Sequence, residues 1–399
     1  MRTVAARWFH SPSAEAVVWR STLLFVGVDV FYTGFVGAYA FTHGQVLAVL
    51  LFIAGQQAAT VLGQVAANRL MAREAWPALR LQRAGVAALA GTLVLAGALP
   101  VPVTARLVLL CGLGGLARGL SYGARLWLEA NLPGAAVRQA YLCAVEAAAT
   151  LLKLFAPLWA LLVFRLFSES LAVVFLSAGL AALALLACMR HEPLSLPPAR
   201  KAAVLALLRQ PRFWRTAPYY VVEGAGHALR LSLFVCGAMT VVGSLSGYAW
   251  VEALASLLGA GLLTRQALRA QSGPSLRTLR RLLGLMALAW ASLLAALQVP
   301  WFLFFFVAGY AVGLPLVNAQ KMGVTLGGMV KEGASLEASL LGRSIVLTAS
   351  RVGTLGLCAS LSLMGWTPRM LLLGMVGLTL ALLPLEYWTA HRMQAVRRA

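Results

Sequence analysis

The 399-residue chain is 61% hydrophobic, and its 33 lysines and arginines against 12 acids give a net charge of +21. A water-soluble fold of that composition would need a core with almost no surface to enclose it, so a soluble protein is excluded. A nucleic-acid binder is excluded as well. The basic residues are scattered over short polar segments between apolar ones, where membrane topology and anionic lipid headgroups account for them.

Twelve apolar stretches, each about 20 residues and long enough to cross ~30 Å of hydrocarbon as helix, lie at about 18–40, 46–67, 82–99, 103–126, 139–163, 170–189, 214–238, 246–267, 281–298, 301–319, 339–362 and 369–388. The first is span-length and follows a polar segment, MRTVAARWFHSPSAEA, so no cleavable signal peptide is expected. Basic residues gather at the amino terminus (Arg2, Arg7), in the 2–3 loop (Arg69, Arg73, Arg80), the 4–5 loop (Arg138), the 6–7 connector, the 8–9 loop and the carboxyl tail. Arg106, Arg165 and Arg369 stand on the other side. This bias predicts that both termini are cytoplasmic, as an even number of spans requires. An Arg- and Ala-rich chain with only Lys153, Lys201, Lys321 and Lys331 as lysines reads as one from a GC-rich bacterium, hence the inner membrane.

The connector holds the Pro197-Pro198 pair and divides the chain into a six-span bundle over 1–189, a cytoplasmic segment over 190–213 and a second bundle over 214–399. Ala202 to Leu208 is expected to form a short interfacial helix ahead of Pro211. Cys111, Cys143, Cys188, Cys236 and Cys358 fall within spans at no metal or disulfide spacing and are expected to serve as packing.

A charge at mid-bilayer costs roughly 2.5–3.5 kcal/mol even on the mild insertion scale, so charged helices should line a bundle interior or water-filled path. Spans three, six, nine and twelve read as free of charge in their interiors and are expected to face lipid.

Twelve spans, a basic central connector and a charge-free every-third helix together resemble the major facilitator superfamily, over nearly the whole chain. The family's 2–3 loop signature, Gly with Asp-Arg and then Gly with further basic residues, is degraded here to GQVAANRLMAR, with Asn68 and Arg69 at the acidic-basic step. The second-half copy, GLLTRQALR, keeps Arg265 and Arg269 without the acid. The glycine-proline motif of many drug/proton antiporters is missing from span five, TLLKLFAPLWALL. The resemblance implies an all-α polytopic membrane protein of two six-helix halves, with no subfamily identified.

Polar stripes mark the candidate site. In span four Arg118, Tyr122, Arg125 and Glu129 fall at i, i+4, i+7 and i+11, within an arc of about 60° at ~100° per residue. Gly115, Gly119 and Gly123 on the neighbouring face form a small-residue ladder for close helix approach. Span five repeats the spacing with Glu146, Thr150, Lys153 and Pro157, and span seven has Glu223, His227 and Arg230. Internal ion-pair ladders that only weld helices would produce the same stripes. Asp29 in span one and Glu252 in span eight are single deep acids; with Glu146 and Glu223 they are the proton-coupling candidates. Arg351 in span eleven is expected to hold an anion or pair with an acid. Gln57, Thr60 and Gln64 in span two, and Tyr310 and Asn318 around the Pro315 break in span ten, complete the lining. Amides read hydrogen-bonding groups without adding charge. By depth, Arg118 and Glu146 are expected to pair.

Three function classes remain: a secondary transporter working by alternating access, a membrane-embedded enzyme or lipid flippase, and a channel or sensor. The chain shows no histidine-rich or paired-acid metal cluster, no G-x-S-x-G nucleophile and no Walker motif, so neither a cofactor, a metal nor ATP is expected. The expected reading is a monomeric transporter of a small anionic or zwitterionic molecule. It is proton-coupled and exports a metabolite or siderophore-like compound, with uptake of an organic anion as the alternative. Substrate-binding candidates are Arg118, Tyr122, Arg125, Lys153, His227, Arg230, Arg351, Gln57 and Asn318.

Overall fold

A computed structural model describes residues 14–73, 77–132, 135–167, 170–189, 202–267, 276–329 and 335–398. Among the described residues all regular structure is helical. Spans one and two form Ala14–Ala72, broken where Gly44 (φ −162°, ψ 20°) and Gln45 (φ 51°, ψ −145°) leave helical geometry. The chain turns back there, since Tyr32 before the break and Gly55 after it both meet the 110–114 segment. Span three is Ala78–Ala98, and span four joins Val103–Leu109, a π-helical turn Leu110–Gly114, and Gly115–Ala130. Spans five and six are Ala135–Phe167 and Leu171–Cys188. Spans seven to twelve are Pro211–Val242, Leu245–Ala267, Leu276–Ala296, Phe302–Met329, Leu336–Leu363 and Pro368–Arg398. Eight described segments are long and apolar enough to cross a membrane, the first containing both spans one and two. Phe155, Leu185, Leu288, Phe305 and Leu357 are exposed, as lipid-facing side chains must be.

Close packing explains why the small residues recur. A Cβ added to Gly119 of span four would collide with the Thr60 carbonyl of span two, and one on Gly63 would come within 2.8 Å of the Gly119 Cα. The glycine ladder therefore brings two backbones into contact, the geometry in which dispersion between helices is strongest in lipid. This sets the wet stripe of span four against spans one and two.

The two halves meet along spans 1 and 7, 2 and 11, and 5 and 8. On the side away from the termini, Phe35 packs edge-on to Tyr248 at 6.3 Å, and Gly37 lies against Val235. On the termini side Leu340 of span eleven joins Val17, Trp19, Leu79 and Leu128 in one apolar cluster. The central residues therefore lie between two seams.

The structure corrects three expectations. Span twelve is not charge-free: Glu386 is 1% exposed, because two cations from other helices compensate it. Span ten runs unbroken through Pro315 as one helix. The interfacial helix is shorter than expected, Val204–Leu208, with Leu207 buried beside Gly342 of span eleven and Leu205 exposed.

A methyl group at Gly119 should cost about 1–3 kcal/mol of overpacking strain. Gly119→Ala is expected to lower the unfolding midpoint of the detergent-solubilised protein, whereas Gly284→Ala, with open space around its Cβ position, should leave it unchanged. Equal midpoints for both variants would refute the close approach.

Candidate functional site

The π-helical turn of span four loosens the backbone ladder at Leu110, and the buried hydroxyl of Tyr32 donates to the Leu110 carbonyl at 2.6 Å. Two turns further on, Arg118 forms a two-pronged pair with Asp29 of span one, Nε to Oδ1 at 2.6 Å and Nη2 to Oδ2 at 3.2 Å. Both side chains are 19% exposed, so water-sized space adjoins them inside the bundle. The Glu146 side chain, the expected partner of Arg118, lies outside the described residues, and Arg118 is met by Asp29 from span one. Thr33 turns its hydroxyl onto the Asp29 backbone carbonyl, leaving the carboxylate to the arginine.

Arg125 belongs to a different contact. It donates to Glu129 one turn on at 2.7 Å, and Glu129 also accepts from the hydroxyl of Tyr141 of span five, whose oxygen in turn accepts from Thr22 of span one. This network welds spans one, four and five, as the ion-pair-ladder reading of the stripe requires. Tyr122 stays half-buried within electrostatic reach of Arg118, Arg343 and Arg351.

In the second half, Arg230 donates to one oxygen of Glu386 at 2.7 Å, and Lys321 of span ten donates to the other. All three groups are buried, and Gly226 makes room for them, since a Cβ there would strike the Glu386 carboxylate. Glu223 pairs with Arg343 of span eleven at 3.3 Å rather than sharing Arg230, and among the described residues its second oxygen has no hydrogen-bond partner. Glu386, Lys321 and Arg343 were absent from the sequence-derived site. Lys321 sits beyond the most apolar stretch of span ten, Glu386 lies inside span twelve near its end, and Arg343 lies one turn inside span eleven. One signal was available: Glu386 is the only acid after Glu337, on a helix whose other charges are cationic.

Arg351 is the centre of the arrangement. Its Nη1 donates to Oε1 of buried Gln57 at 2.7 Å, a bond from span eleven of one half to span two of the other. Among the described residues no carboxylate lies within ion-pair distance of it, and its buried Nε has no partner. His227 is half-buried within electrostatic reach of Arg351, Arg230, Arg118 and Lys321. Arg118, Arg230, Lys321, Arg343 and Arg351 thus face Asp29, Glu223 and Glu386, five cations against three carboxylates, an excess of two.

Three candidates lie away from this cluster. Glu252 accepts from Tyr248 at 2.8 Å towards the far side. Lys153 is exposed on span five, within electrostatic reach of Glu252. Asn318 is half-buried one turn before Lys321, while nearby Tyr310 stacks on Phe234 at 4.5 Å instead of lining the opening.

No protein-family model matches the sequence, and no curated protein resembles it at a significant level. Solved structures do match over almost the whole chain. The human organic anion transporter MFSD10 (TETRAN) superposes with a TM-score of 0.64 at 16% identity, covering 94% of this chain and 98% of its own. The chain has the major facilitator fold. The nucleoside transporter NupG gives 0.68 at 11% identity, with 94% and 100% covered. The xylose transporter XylE from E. coli, in a partially occluded inward-open conformation, gives 0.61 at 13%, with 92% and 98% covered. The twelve spans in two six-helix halves follow from that fold, and the protein is an integral multi-pass membrane protein.

Removing one partner of a poorly solvated pair strands a charge at a cost of about 3–5 kcal/mol, while removing both does not. Asp29→Asn and Arg118→Gln are each expected to lower folded yield and thermal midpoint more than the double variant does. Strictly additive losses, measured by fluorescence-detected size exclusion and thermal unfolding, would show that the pair carries no coupling.

Proposed function

We propose that the protein is a secondary active transporter of a small organic anion or zwitterion, alternating access by rocking 1–189 against 214–399 about the Arg351 centre, with 190–213 as the connector. The observation that carries this reading is Arg351, a deep guanidinium that among the described residues is bonded to a neutral amide of the opposite half and to no carboxylate. An arginine presents a planar fork of donors suited to a carboxylate or phosphate, and in a site of low polarity an anion is the partner that completes it. Arg118, Arg230, Arg351 and His227 hold the anionic group, with Tyr122 and Gln57 supplying neutral contacts.

The distribution of ion pairs supports the rocking step. Asp29–Arg118 and Arg125–Glu129 lie within the first half; Arg230–Glu386, Lys321–Glu386 and Glu223–Arg343 lie within the second. Strong pairs hold each bundle rigid, while the Arg351–Gln57 and Tyr248–Gly34 bonds across the seam use neutral acceptors. Such bonds are individually worth about 0.5–3 kcal/mol and can be exchanged during a cycle. The same fold serves an organic anion transporter among the structural neighbours. Basic residues on the termini side support a reading with both termini in the cytoplasm of a bacterial inner membrane, and in this reading a proton gradient drives the cycle of a monomer. Export is the direction we adopt. An enzyme reading has no support from this centre, whose groups complement charge and offer no paired nucleophile and base.

Thermal unfolding in detergent with a panel of organic carboxylates, zwitterions, cations and neutral sugars tests the site. Anionic or zwitterionic members are expected to stabilise the protein, and Arg351→Gln should weaken the best of them roughly 10–100-fold, the loss of a charge-assisted bond worth about 1.5–3 kcal/mol. Stabilisation by cations alone, or unchanged affinity in a folded Arg351→Gln variant, would overturn the reading. Uptake into right-side-out and inverted vesicles then gives the direction.

A further inference from the structure

Of the described deep acids, Asp29, Glu129, Glu223 and Glu386 are each engaged by a cation. Glu252 is not. Among the described residues no cation lies within ion-pair distance of its carboxyl, which accepts a single hydrogen bond, from the Tyr248 hydroxyl at 2.8 Å. That same hydroxyl lies 3.2 Å from the backbone carbonyl of Gly34. Tyr248 is fully buried, so no water replaces either contact.

A phenol carries one proton and here has two acceptors in reach, on opposite halves of the protein. While Glu252 is ionised, the charge-assisted bond to the carboxylate takes that proton, and the Gly34 carbonyl is left to its own helix. Once Glu252 is protonated, its carboxyl O–H donates to the tyrosine oxygen, and the tyrosine proton is free to turn onto Gly34. No bond other than O–H bonds forms or breaks, and the proton comes from bulk solvent.

The surroundings fit such a relay. Gly34 lets the carboxyl come close to span one, for a Cβ there would sit 3.2 Å from its Oε2. Lys153 of span five and Tyr310 of span ten face Glu252 within electrostatic reach, and Cys236 of span seven lies beside Tyr248. Span one offers only the Gly34 backbone and the Phe35 ring, which packs edge-on to Tyr248.

We propose that Glu252 is a proton-binding site that latches span eight of the second half onto span one of the first, its protonation forming the Tyr248–Gly34 bond and its ionisation releasing it. This rests on the transporter reading only for its purpose: a proton from outside would close the seam away from the termini. The latch itself requires no substrate.

The test is a distance measurement across the far-side seam. Spin labels at Thr42→Cys and Thr240→Cys, in a variant with the native cysteines replaced by serine and no substrate present, report their separation by pulsed dipolar spectroscopy. The separation is expected to be short at acidic pH and to lengthen at alkaline pH. Glu252→Gln, whose amide donates to Tyr248 at every pH, should hold the short distance throughout. Tyr248→Phe, which has no proton to pass on, should abolish the pH dependence at the long distance. A wild-type distance that does not move with pH, or a folded Glu252→Gln variant that still moves as wild type does, would overturn the latch. A pH-dependent seam in a protein that binds no member of the solute panel would leave the latch standing and sink the transporter reading, so the two failures are distinct.

Discussion

A charge inside hydrocarbon must be compensated or face a solvated path, and in this protein that constraint decides which helices meet. Asp29 ties span one to span four, Glu386 ties span twelve to spans seven and ten, and Glu223 ties span seven to span eleven. Buried pairs of this kind contribute little net stability against well-packed apolar residues of the same volume, because desolvation offsets the Coulomb attraction. What they give is specificity of assembly: a bundle in which any of these partners is misplaced carries a stranded charge.

Among the described residues the compensation is incomplete. Three carboxylates cannot neutralise the five cations around the centre, since Arg230 and Lys321 share Glu386. Arg351, with no described carboxylate within ion-pair distance, is the one that reaches across the seam. Structural rigidity and binding capacity therefore come from the same residue types, separated by whether an acid of the same half is in reach. Close backbone packing supports both. The contact of Gly63 with Gly119 sets span four beside span two, while Arg118 of span four meets Asp29 of span one and Gln57 of span two meets Arg351.

Much of this was legible in the sequence. Span number and approximate bounds follow from hydropathy alone, since hydrocarbon thickness sets helix length. The stripes of spans four and seven put Arg118, and His227 with Arg230, on single helix faces, because helical spacing fixes which side chains share a face. Partner choice was not legible. Arg118 takes Asp29, 89 residues away in sequence, because spans one and four approach each other in the folded bundle, which periodicity does not encode. Lys321 was missed because the apolar window of span ten ends before it, although the helix continues past that limit. Glu386 lies inside the span-twelve window and was passed over because that span read as free of charge. Arg125, grouped with the site by its stripe, is committed to Glu129 on its own helix, a local pairing that spacing permits but does not distinguish from ligand binding.

The central claim is that the excess positive charge around Arg351 is completed by an anion from solution. Anomalous scattering from crystals of the protein grown in bromide locates such an anion directly. The account predicts a bromide peak in contact with the Arg351 guanidinium, on the side of its unpartnered Nε and near His227, and the loss of that peak in Arg351→Gln. A central opening free of bromide while peaks form elsewhere on the protein, or a peak that persists unchanged in the variant, would contradict it.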